Sequence, residues 1–346
     1  MSKCDLAIVF DRDDRTYRGG EDVTGTVLLT VHSAFRCNGV RLKSFWRTHG
    51  TADRDTGPER KVTLLEATDL EPGPTLELPF AIPAELWPPT YRGKTINLDH
   101  YIHASVDVPW AKDVSTEEDY VLVPGDEPDD IPGLKPLPES IDTDGRSTAT
   151  DIAWRMIGWG FTLACLGWAG WVFSGQAPNV SIVVAIISTI VGLIFLSVLI
   201  YGVMVRRRFG AVEVRVPACR IVAGMELPVE IRFQPRGSFS ITAVTATLLA
   251  QESATYTVGT DTTTKKTSAS ETKASKYEGH YTSEGETLEF RETLRVPEYP
   301  LYSFTTRRST LSWSLELRID VPGYPDWTKS IPLLCLPDWD ANGDAG

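Results

Sequence analysis

The residue types that most often do chemistry are few and scattered in this chain. It has five histidines and five cysteines among 346 residues. His100 and His103 stand three apart in a segment that predicts a β-strand, so their side chains point to opposite faces and cannot share a metal ion. The cysteines form no C-x-x-C pair. This disfavours a zinc site or a disulfide framework and favours free, buried thiols in a reducing compartment.

The sequence shows none of the familiar catalytic motifs. It lacks G-x-S-x-G, a phosphate-binding P-loop, G-x-G-x-x-G after a strand, and H-E-x-x-H. Gly19, Gly20 and Glu21 could open a phosphate loop, but a hairpin turn explains them better. An active site assembled from residues far apart in sequence stays open. We otherwise predict no enzyme activity, no metal and no cofactor.

The chain is strongly acidic, with a formal net charge of −12, which disfavours nucleic acid as a partner. Lysines nevertheless concentrate in the longest polar insert, residues 256–287, where Ser and Thr surround them. These candidates for partner binding are Lys265, Lys266, Lys273 and Lys276. The insert is either a hairpin that contacts a membrane or a partner, or a solvated loop that tolerates sequence change.

A long apolar segment lies near the middle of the chain. Residues 182–205 contain no charge, and 16 of them are Ile, Val, Leu or Phe. As a helix they would span about 36 Å, which exceeds the ~30 Å hydrocarbon core of a bilayer. The alternative is a buried core helix, which would have to be apolar on every face and longer than most globular helices.

A second, weaker apolar stretch precedes it at residues 154–173, rich in Gly and Trp and uncharged from Met156 onward. Trp154 and Trp171 would lie about 25 Å apart on a helix, near the two membrane interfaces. Small residues four apart could let the helices approach closely, and the pairs are Gly160 with Ala164 and Ser188 with Gly192. We predict a transmembrane hairpin over residues 151–208, with helices at about 154–174 and 180–205.

The charges around this hairpin predict its orientation. Arg155 precedes the first helix, three arginines follow the second, and the connecting residues carry no charge. The positive-inside rule then puts both ends, and both large flanking parts, in the cytoplasm. We therefore expect an integral protein of the inner or plasma membrane. The residues expected at the membrane interfaces are Trp154, Arg155, Trp171, Arg206, Arg207 and Arg208.

Both flanking parts have the alternating pattern of half-buried, antiparallel β-strands. Four blocks occur twice in the same order: 17–31 with 221–233, 38–51 with 241–255, 76–85 with 288–298, and 101–110 with 313–323. The last pair ends in Asp-Val-Pro in both copies. Chance alternation would not reproduce this order, so we infer two copies of one β-sandwich.

Three motifs of the first copy resemble the N-terminal lobe of the arrestin-like clan. The matching residues are Tyr17, Gly20, Glu21, Val23, Gly25, Val27 and Leu29; Pro79, Phe80, Ile82 and Pro83; and Tyr101, Ile102, Ala104, Val106, Asp107, Pro109 and Trp110. The clan includes visual arrestins, α-arrestins, the retromer arrestin-like subunit and bacterial sporulation-control relatives. The resemblance covers residues 1–123 and, more loosely, 209–337, and it implies two tandem sandwiches.

The sequence departs from that clan in two ways. The position of the short arrestin hinge holds the apolar hairpin, and the first lobe has no Arg and Lys cluster matching the arrestin phosphate sensor. Recognition of a phosphorylated receptor is therefore not implied.

We predict an all-β fold of two immunoglobulin-like sandwiches. Its parts are the first sandwich at 1–123, an acidic, Pro-rich and extended tether at 124–150, the hairpin at 151–208, the second sandwich at 209–337, and a tail at 338–346. The favoured function is a membrane-anchored adaptor or scaffold that binds unidentified proteins at the cytoplasmic face. The alternatives are a structural or regulatory membrane component, as in envelope stress or defence, that oligomerises through its helices, and an enzyme with a cleft between lobes. Membrane lipid and a second copy are further expected partners.

Overall fold

The computed structural model describes residues 3–109, 113–143, 149–175, 182–299 and 301–339, and the protein is mostly β-strand with two helices. We call residues 3–123 the first β region. Its strands are β1 Cys4–Phe10, β2 Thr16–Arg18, β3 Asp22–Val31, β4 Phe35–Cys37, β5 Gly39–Gly50, β6 Arg60–Leu65, β7 Thr68–Leu70, β8 Leu76–Pro83, β9 Tyr91–Arg92, β10 Ile96–Asp107 and β11 Val114–Val123.

Alternating side chains place the core of this region between two sheets. One sheet has the order β1-β3-β8 and the other β2-β11-β10-β5-β6. Val27 of β3 and Ile102 of β10 are both buried in the same apolar cluster, so the apolar faces of the two sheets meet. The predicted alternation of Ile102, Ala104 and Val106 is confirmed, because all three are fully buried.

The second β region comprises β12 and every strand after the two helices. The elements are β12 Ile141–Thr143, α1 Ala149–Phe173, α2 Ile182–Phe209, β13 Val212–Val216, β14 Arg220–Ile221, β15 Glu226–Phe233, β16 Ser240–Ile241, β17 Ala243–Val258, β18 Asp261–Lys276, β19 His280–Tyr281, β20 Leu288–Arg295, β21 Phe304–Thr305, β22 Ser309–Asp320 and β23 Trp327–Cys335.

The strand orders of the two β regions correspond one to one. The larger sheet of the second region runs β14-β23-β22-β17-β18, and its smaller sheet runs β12-β13-β15-β20. In each region the last long strand pairs in parallel with a short early strand, β11 with β2 and β23 with β14. Only β12 has no counterpart in the first region's three-stranded sheet.

The stretch 124–150, predicted to be an extended tether, packs against the second β region over its described residues. Leu137 contacts that region's core, and the amide of Cys219 donates to the carbonyl of Glu139 at 2.9 Å. Residues 141–143 then form β12, which pairs with β13. The apolar side chains among the prolines account for the difference, since burying them offsets the entropy of ordering the chain. Residues 144–148 lie outside the described part, and the domain boundaries stay predictions.

The helices extend beyond the predicted bounds, α1 by five residues at its start and α2 by four at its end, while residues 176–181 of the connection lie outside the described part. Ser188 Oγ–H donates to the carbonyl of Cys165 at 3.2 Å, and a Cβ on Gly192 would contact Leu166. Gly158 lies against Leu199 in the same way, so the two helices run antiparallel. Both are long and apolar enough to cross a membrane, and most of their large side chains are exposed.

Candidate functional site

One carboxylate, that of Glu252, lies wholly buried between the two β regions. It occupies an inward position of β17, where Leu248, Ala250 and Ala254 are buried too. All its hydrogen bonds come from the first region, and the donors are Tyr91 Oη–H at 2.7 Å, the Lys94 amide at 2.8 Å, the Thr95 amide at 2.6 Å and Thr95 Oγ1–H at 2.5 Å. Both carboxylate oxygens are therefore satisfied, as a buried charge requires.

These hydrogen bonds keep Glu252 ionised. Burial raises the pKa of its carboxyl, but the bonds from Thr95, Tyr91 and the Lys94 amide outweigh burial, and the net pKa is lowered. The same contact fixes the loop between β9 and β10, because a Cβ on Gly93 would collide with Oε1 of Glu252 and with the ring of Tyr91. Glycine is thus required where the loop meets the carboxylate.

A second carboxylate makes the reciprocal contact, from the first region to the second. Asp55 is 6% exposed and accepts from Thr306 Oγ1–H at 2.8 Å and from the Arg308 amide at 2.6 Å. Nearby, Thr257 Oγ1–H donates to Asp53 at 2.8 Å. Each β region thus places acceptors on donors of the other. We call these contacts, together with those of Glu252, the interregion interface.

Apolar contacts complete the interregion interface. Ile96 and Leu98 of β10 are fully buried within the core cluster of the second region. The ring of Tyr91 packs edge-on against Phe304 with centroids 5.4 Å apart. Because apolar area and bonded charges lie side by side, the two β regions are held in one fixed arrangement.

The junction between α2 and the second β region is continuous and buried. Phe209, the last residue of α2, is fully buried and packs against Phe233 and Phe239. The guanidinium of Arg208 lies over two rings, 4.3 Å from the centroid of Phe239 and 4.0 Å from that of Tyr324. The helix therefore ends as part of the core of the second region.

Two hydrogen bonds reinforce this junction. Tyr201 Oη–H donates to the carbonyl of Asp326, and the amide of Arg236 donates to the carbonyl of Arg208, both at 3.0 Å. Tyr201 lies two turns before the end of α2, so the helix is held at two levels. Such a helix cannot pivot freely at its end.

The residues predicted to lie at the membrane interfaces differ in how exposed their side chains are. Trp171 and Arg207 are exposed, as an interface position requires, whereas Arg208 is held by the second region's aromatic side chains. Trp154, Arg155 and Arg206 lie on the helices, but their side chains are outside the described part of the structure.

The predicted partner-binding lysines lie on β18, which forms an antiparallel hairpin with β17, so the polar insert has the hairpin conformation of the first alternative and is not a loop. β18 pairs with β17 over its full length, which places Lys265 opposite Ala254 and Lys276 opposite Val244. Lys266 and Lys273 project from the other face. The lysines therefore line both faces of the strand at the end of the sheet.

Two other side chains that could act as an acid, a base or a nucleophile, His100 and Cys335, are held in unreactive forms. Burial lowers the pKa of His100 to about 4, so its imidazole is neutral, and burial raises the pKa of Cys335 to about 12. A cleft of about 1300 Å³ lies between the two β regions, with Arg18, Glu21, Asp126, Tyr302 and Trp339 in its wall. Within the described ranges, no three His, Cys, Asp or Glu side chains are grouped to hold a metal ion.

One of the residues that no motif identified, Glu252, is nevertheless visible in the strand pattern. Glu252 interrupts an otherwise apolar series of inward positions on β17, and a charge at such a position predicts a bonded partner. Asp55 gave no such signal, because it lies in an irregular stretch and its partners are about 250 residues away in sequence.

Comparison with known proteins finds similarity among solved structures. The crystal structure of Spo0M, a sporulation control protein from Bacillus subtilis, is similar with a TM-score of 0.31 and 18% sequence identity. The match covers 35% of this chain and 50% of that chain, so it spans about half the length of Spo0M. No family model and no curated protein matches the sequence.

Proposed function

We propose that this protein is a membrane-anchored adaptor, built from two arrestin-like sandwiches with a transmembrane hairpin between them. The observation that carries the proposal is the junction at Phe209, where a helix that is free of charge over residues 182–205 ends inside the core of a β region. A protein made this way presents its β regions at a fixed height and orientation on one membrane face. Such an arrangement suits recruitment of other proteins.

The length and charge of the helices support insertion into a bilayer. Met156–Phe173 and Ile182–Phe209 are both apolar, and nearly all of their surface faces away from the protein. Leaving such surface in water would cost about 25 cal/mol per Å². The arginines at the end of α2 favour the cytoplasmic side for both β regions.

The β regions are suited to binding proteins because the interregion interface makes them one body with several sheet edges. An exposed edge offers unpaired backbone groups, and a rigid body holds these groups ready for a partner. The arrestin-like resemblance is to a clan of regulatory scaffolds and supports the same role.

The membrane arrangement can be tested by labelling single introduced cysteines in intact cells. Ser174→Cys lies at the end of α1 and Lys265→Cys lies on β18, and both positions are exposed. A membrane-impermeant maleimide should label Ser174→Cys in intact cells and Lys265→Cys only after permeabilisation. Four of the five native cysteines are buried, which keeps the background low. Labelling of Lys265→Cys in intact cells would refute the orientation.

The adaptor role is tested by capture of partners. Full-length protein is crosslinked in its host, extracted in mild detergent and purified, and the recovered proteins are compared with those recovered by the isolated hairpin. Proteins that need the β regions for recovery support the adaptor. Recovery of the same set with the hairpin alone contradicts it.

One observation favours a second candidate, an oligomerising membrane component. Gly160 and Gly167 of α1 have no heavy atom within 4 Å of a built Cβ, and Ala164 between them is exposed. This small-residue face is turned away from α2, where a second copy could pack. Disulfide crosslinking of Gly160→Cys between copies in membranes separates the candidates, because an adaptor acting as a monomer gives no crosslinked dimer.

A further inference from the structure

The strand β18 forms a long sheet edge that is hydrogen-bonded to one strand of its sheet. It is 16 residues long and stands at the end of the sheet order, paired with β17 on one side. No strand in the described part of the chain pairs with its other side. Along such an edge, alternate backbone N–H and C=O groups point outward without a ladder partner.

The charge of this edge is opposite to that of the protein. β18 carries Lys265, Lys266, Lys273 and Lys276, four of the chain's eleven lysines, against Asp261 and Glu271. Over the described residues, no ion pair joins any of the four lysines to a carboxylate within 4.0 Å. Lys276 Nζ lies 5.6 Å from the centroid of the Tyr277 ring, a contact that leaves its charge uncompensated.

The corresponding edge of the first β region differs in this respect. The end strand there is β6, and its basic side chains are already paired within the protein. Lys61 Nζ lies 2.9 Å from Glu59 and Arg60 Nε lies 2.7 Å from Glu85. Lysines on edge strands generally discourage pairing with other copies of the same chain, and like charges on β18 would do so. They would at the same time favour an acidic strand.

The direction of β18 limits how many of its lysines a membrane could contact. Lys276 is at the end next to α2, because its row across the sheet leads through Val244 and Ile319 to Trp327, beside Asp326 and Tyr201. Lys265 is at the other end, next to the interregion interface. The two lysines are about 36 Å apart along the strand. A bilayer at the α2 end could contact only one of them.

Two features limit the part of the edge that can pair. At one end, Lys94 Nζ–H donates to the carbonyl of Ser268 at 2.8 Å, beside a bulge in the pairing of β17 with β18. At the other end, Tyr277 has a φ of 60°, and the chain turns away. Residues 270–276 lie between these points and have the length of an ordinary strand. One of these residues, Ala274, packs against the core of the second region.

We propose that an extended, acidic segment of a partner protein adds to the sheet along residues 270–276 of β18. Its backbone completes the ladder, and its Asp or Glu side chains meet Lys273 and Lys276, with further acidic residues continuing toward Lys266 and Lys265. This inference rests on the proposed adaptor function and names the surface and the partner chemistry.

The test uses full-length protein in lipid nanodiscs and a phage library of random twelve-residue peptides. Selected peptides should have an excess of Asp and Glu, and binding should slow hydrogen exchange of the amides of residues 270–276. A selected peptide with alternate backbone nitrogens methylated should lose at least about tenfold in affinity, because it keeps its charge but cannot complete the ladder. Equal binding of the methylated peptide would overturn the proposal.

The lysines are tested by reversing all four to Glu, with neutral Gln variants as a second set in case the reversed protein unfolds. The matched control reverses four exposed basic residues elsewhere, namely Lys3, Arg18, Arg54 and Lys135. Reversal on β18 should weaken peptide binding at least about tenfold, as four exposed ion pairs would, and the control should not. Equal losses in both, or lysine-dependent binding to phosphatidylserine vesicles with none to peptides, would refute the proposal. If these peptide tests fail but the capture experiment still recovers native partners, the adaptor function stands and only the site on β18 is refuted. If the capture experiment recovers no partner, both proposals are refuted.

Discussion

The two β regions have corresponding strand orders apart from β12 but contact the two apolar helices in different ways. The second region receives Phe209 of α2 directly into its core. The first region is held against the second mainly by the interregion interface, where Glu252 and Asp55 each accept bonds across the boundary. The difference shows that two regions with corresponding folds can have different roles. The second region is packed on the helix, and the first region is attached to the second.

The two copies also differ in how they treat their end strands. In the first region, carboxylates of the same region neutralise the basic residues of β6. In the second, the lysines of β18 have no such neighbours among the described residues. The two regions therefore share their strand pairing and their buried core, but they differ in the charge of the end strand, which is neutralised at β6 and not at β18.

The largest expected effect comes from the junction between α2 and the second region. Phe209→Ala should lower the free energy of unfolding by about 3–5 kcal/mol, because the surrounding core leaves a cavity where the ring was. Urea unfolding in detergent, followed by tryptophan fluorescence, measures the loss. The matched control is Phe173→Ala, whose ring is 55% exposed on α1. Equal effects of the two changes would show that α2 and the second region are not one packed unit.

The interregion interface gives the next largest effect. Glu252→Ala should lower stability by about 3 kcal/mol, because the Thr95 amide, the Lys94 amide and Tyr91 Oη–H lose their acceptor. Faster hydrogen exchange at residues 91–95, with exchange at β15 unchanged, would show that the first region has loosened alone. Glu316→Ala, on an exposed position of β22, should change neither. Slow exchange retained at 91–95 would contradict the assigned role of Glu252.

Acid should weaken the first region through His100. This side chain is fully buried, and its Nε2–H donates to the carbonyl of Pro88 at 3.0 Å. Because burial lowers the folded pKa to about 4 from an ordinary 6.5, the unfolded chain binds the proton first, and stability falls as the pH drops through this window. The expected loss between pH 7 and pH 5 is about 2 kcal/mol.

Urea titrations of the wild type and of His100→Gln at the two pH values measure this loss. The variant keeps a donor for Pro88 but no titrating group, so its slope over the window should be nearly flat. The lowered pKa of Glu252 acts in the same direction, with stability lost only as the pH falls further, through the folded pKa of that carboxyl. An identical slope in wild type and variant would exclude His100 as the source.

The smallest effect is expected at Arg208. Replacing it with Gln removes the cation from the rings of Phe239 and Tyr324 and should cost about 1–2 kcal/mol of unfolding free energy. Arg207→Gln, at the exposed neighbouring position, should have no measurable effect on unfolding. A larger loss for Arg207 than for Arg208 would place the important arginine on the membrane side of the junction.

Much of the fold was predictable, because apolar and polar residues alternate along most strands whereas the two helices are continuously apolar. The strict alternation of Ile102, Ala104 and Val106 identified β10, and the uncharged run after Ile182 identified α2. The sequence left β18 undecided between a hairpin and a loop, because Thr, Ser and Lys fill both of its faces. Without an apolar face, its strand conformation is set by pairing with β17 and not by its own pattern.

The contacts between the β regions were less predictable. Glu252 could be flagged as a charge at an inward position, but nothing in the sequence identified Tyr91 or Thr95 as its donors. β12 was missed because a three-residue strand among prolines is too short to have a period. Such features depend on how two folded parts meet, which local sequence does not encode.

If the two helices span a bilayer, as we propose, the unequal lengths of their apolar parts have a consequence. The uncharged part of α2, residues 182–205, would measure about 36 Å, whereas the uncharged part of α1, Met156–Phe173, would measure about 27 Å. In a thin bilayer the longer helix relieves its mismatch by leaning. Since Phe209 and Tyr201 bind α2 to the second region, tilting of the helix would tilt the β regions with it. The thickness of the surrounding lipid would thus set the angle at which the β regions are presented.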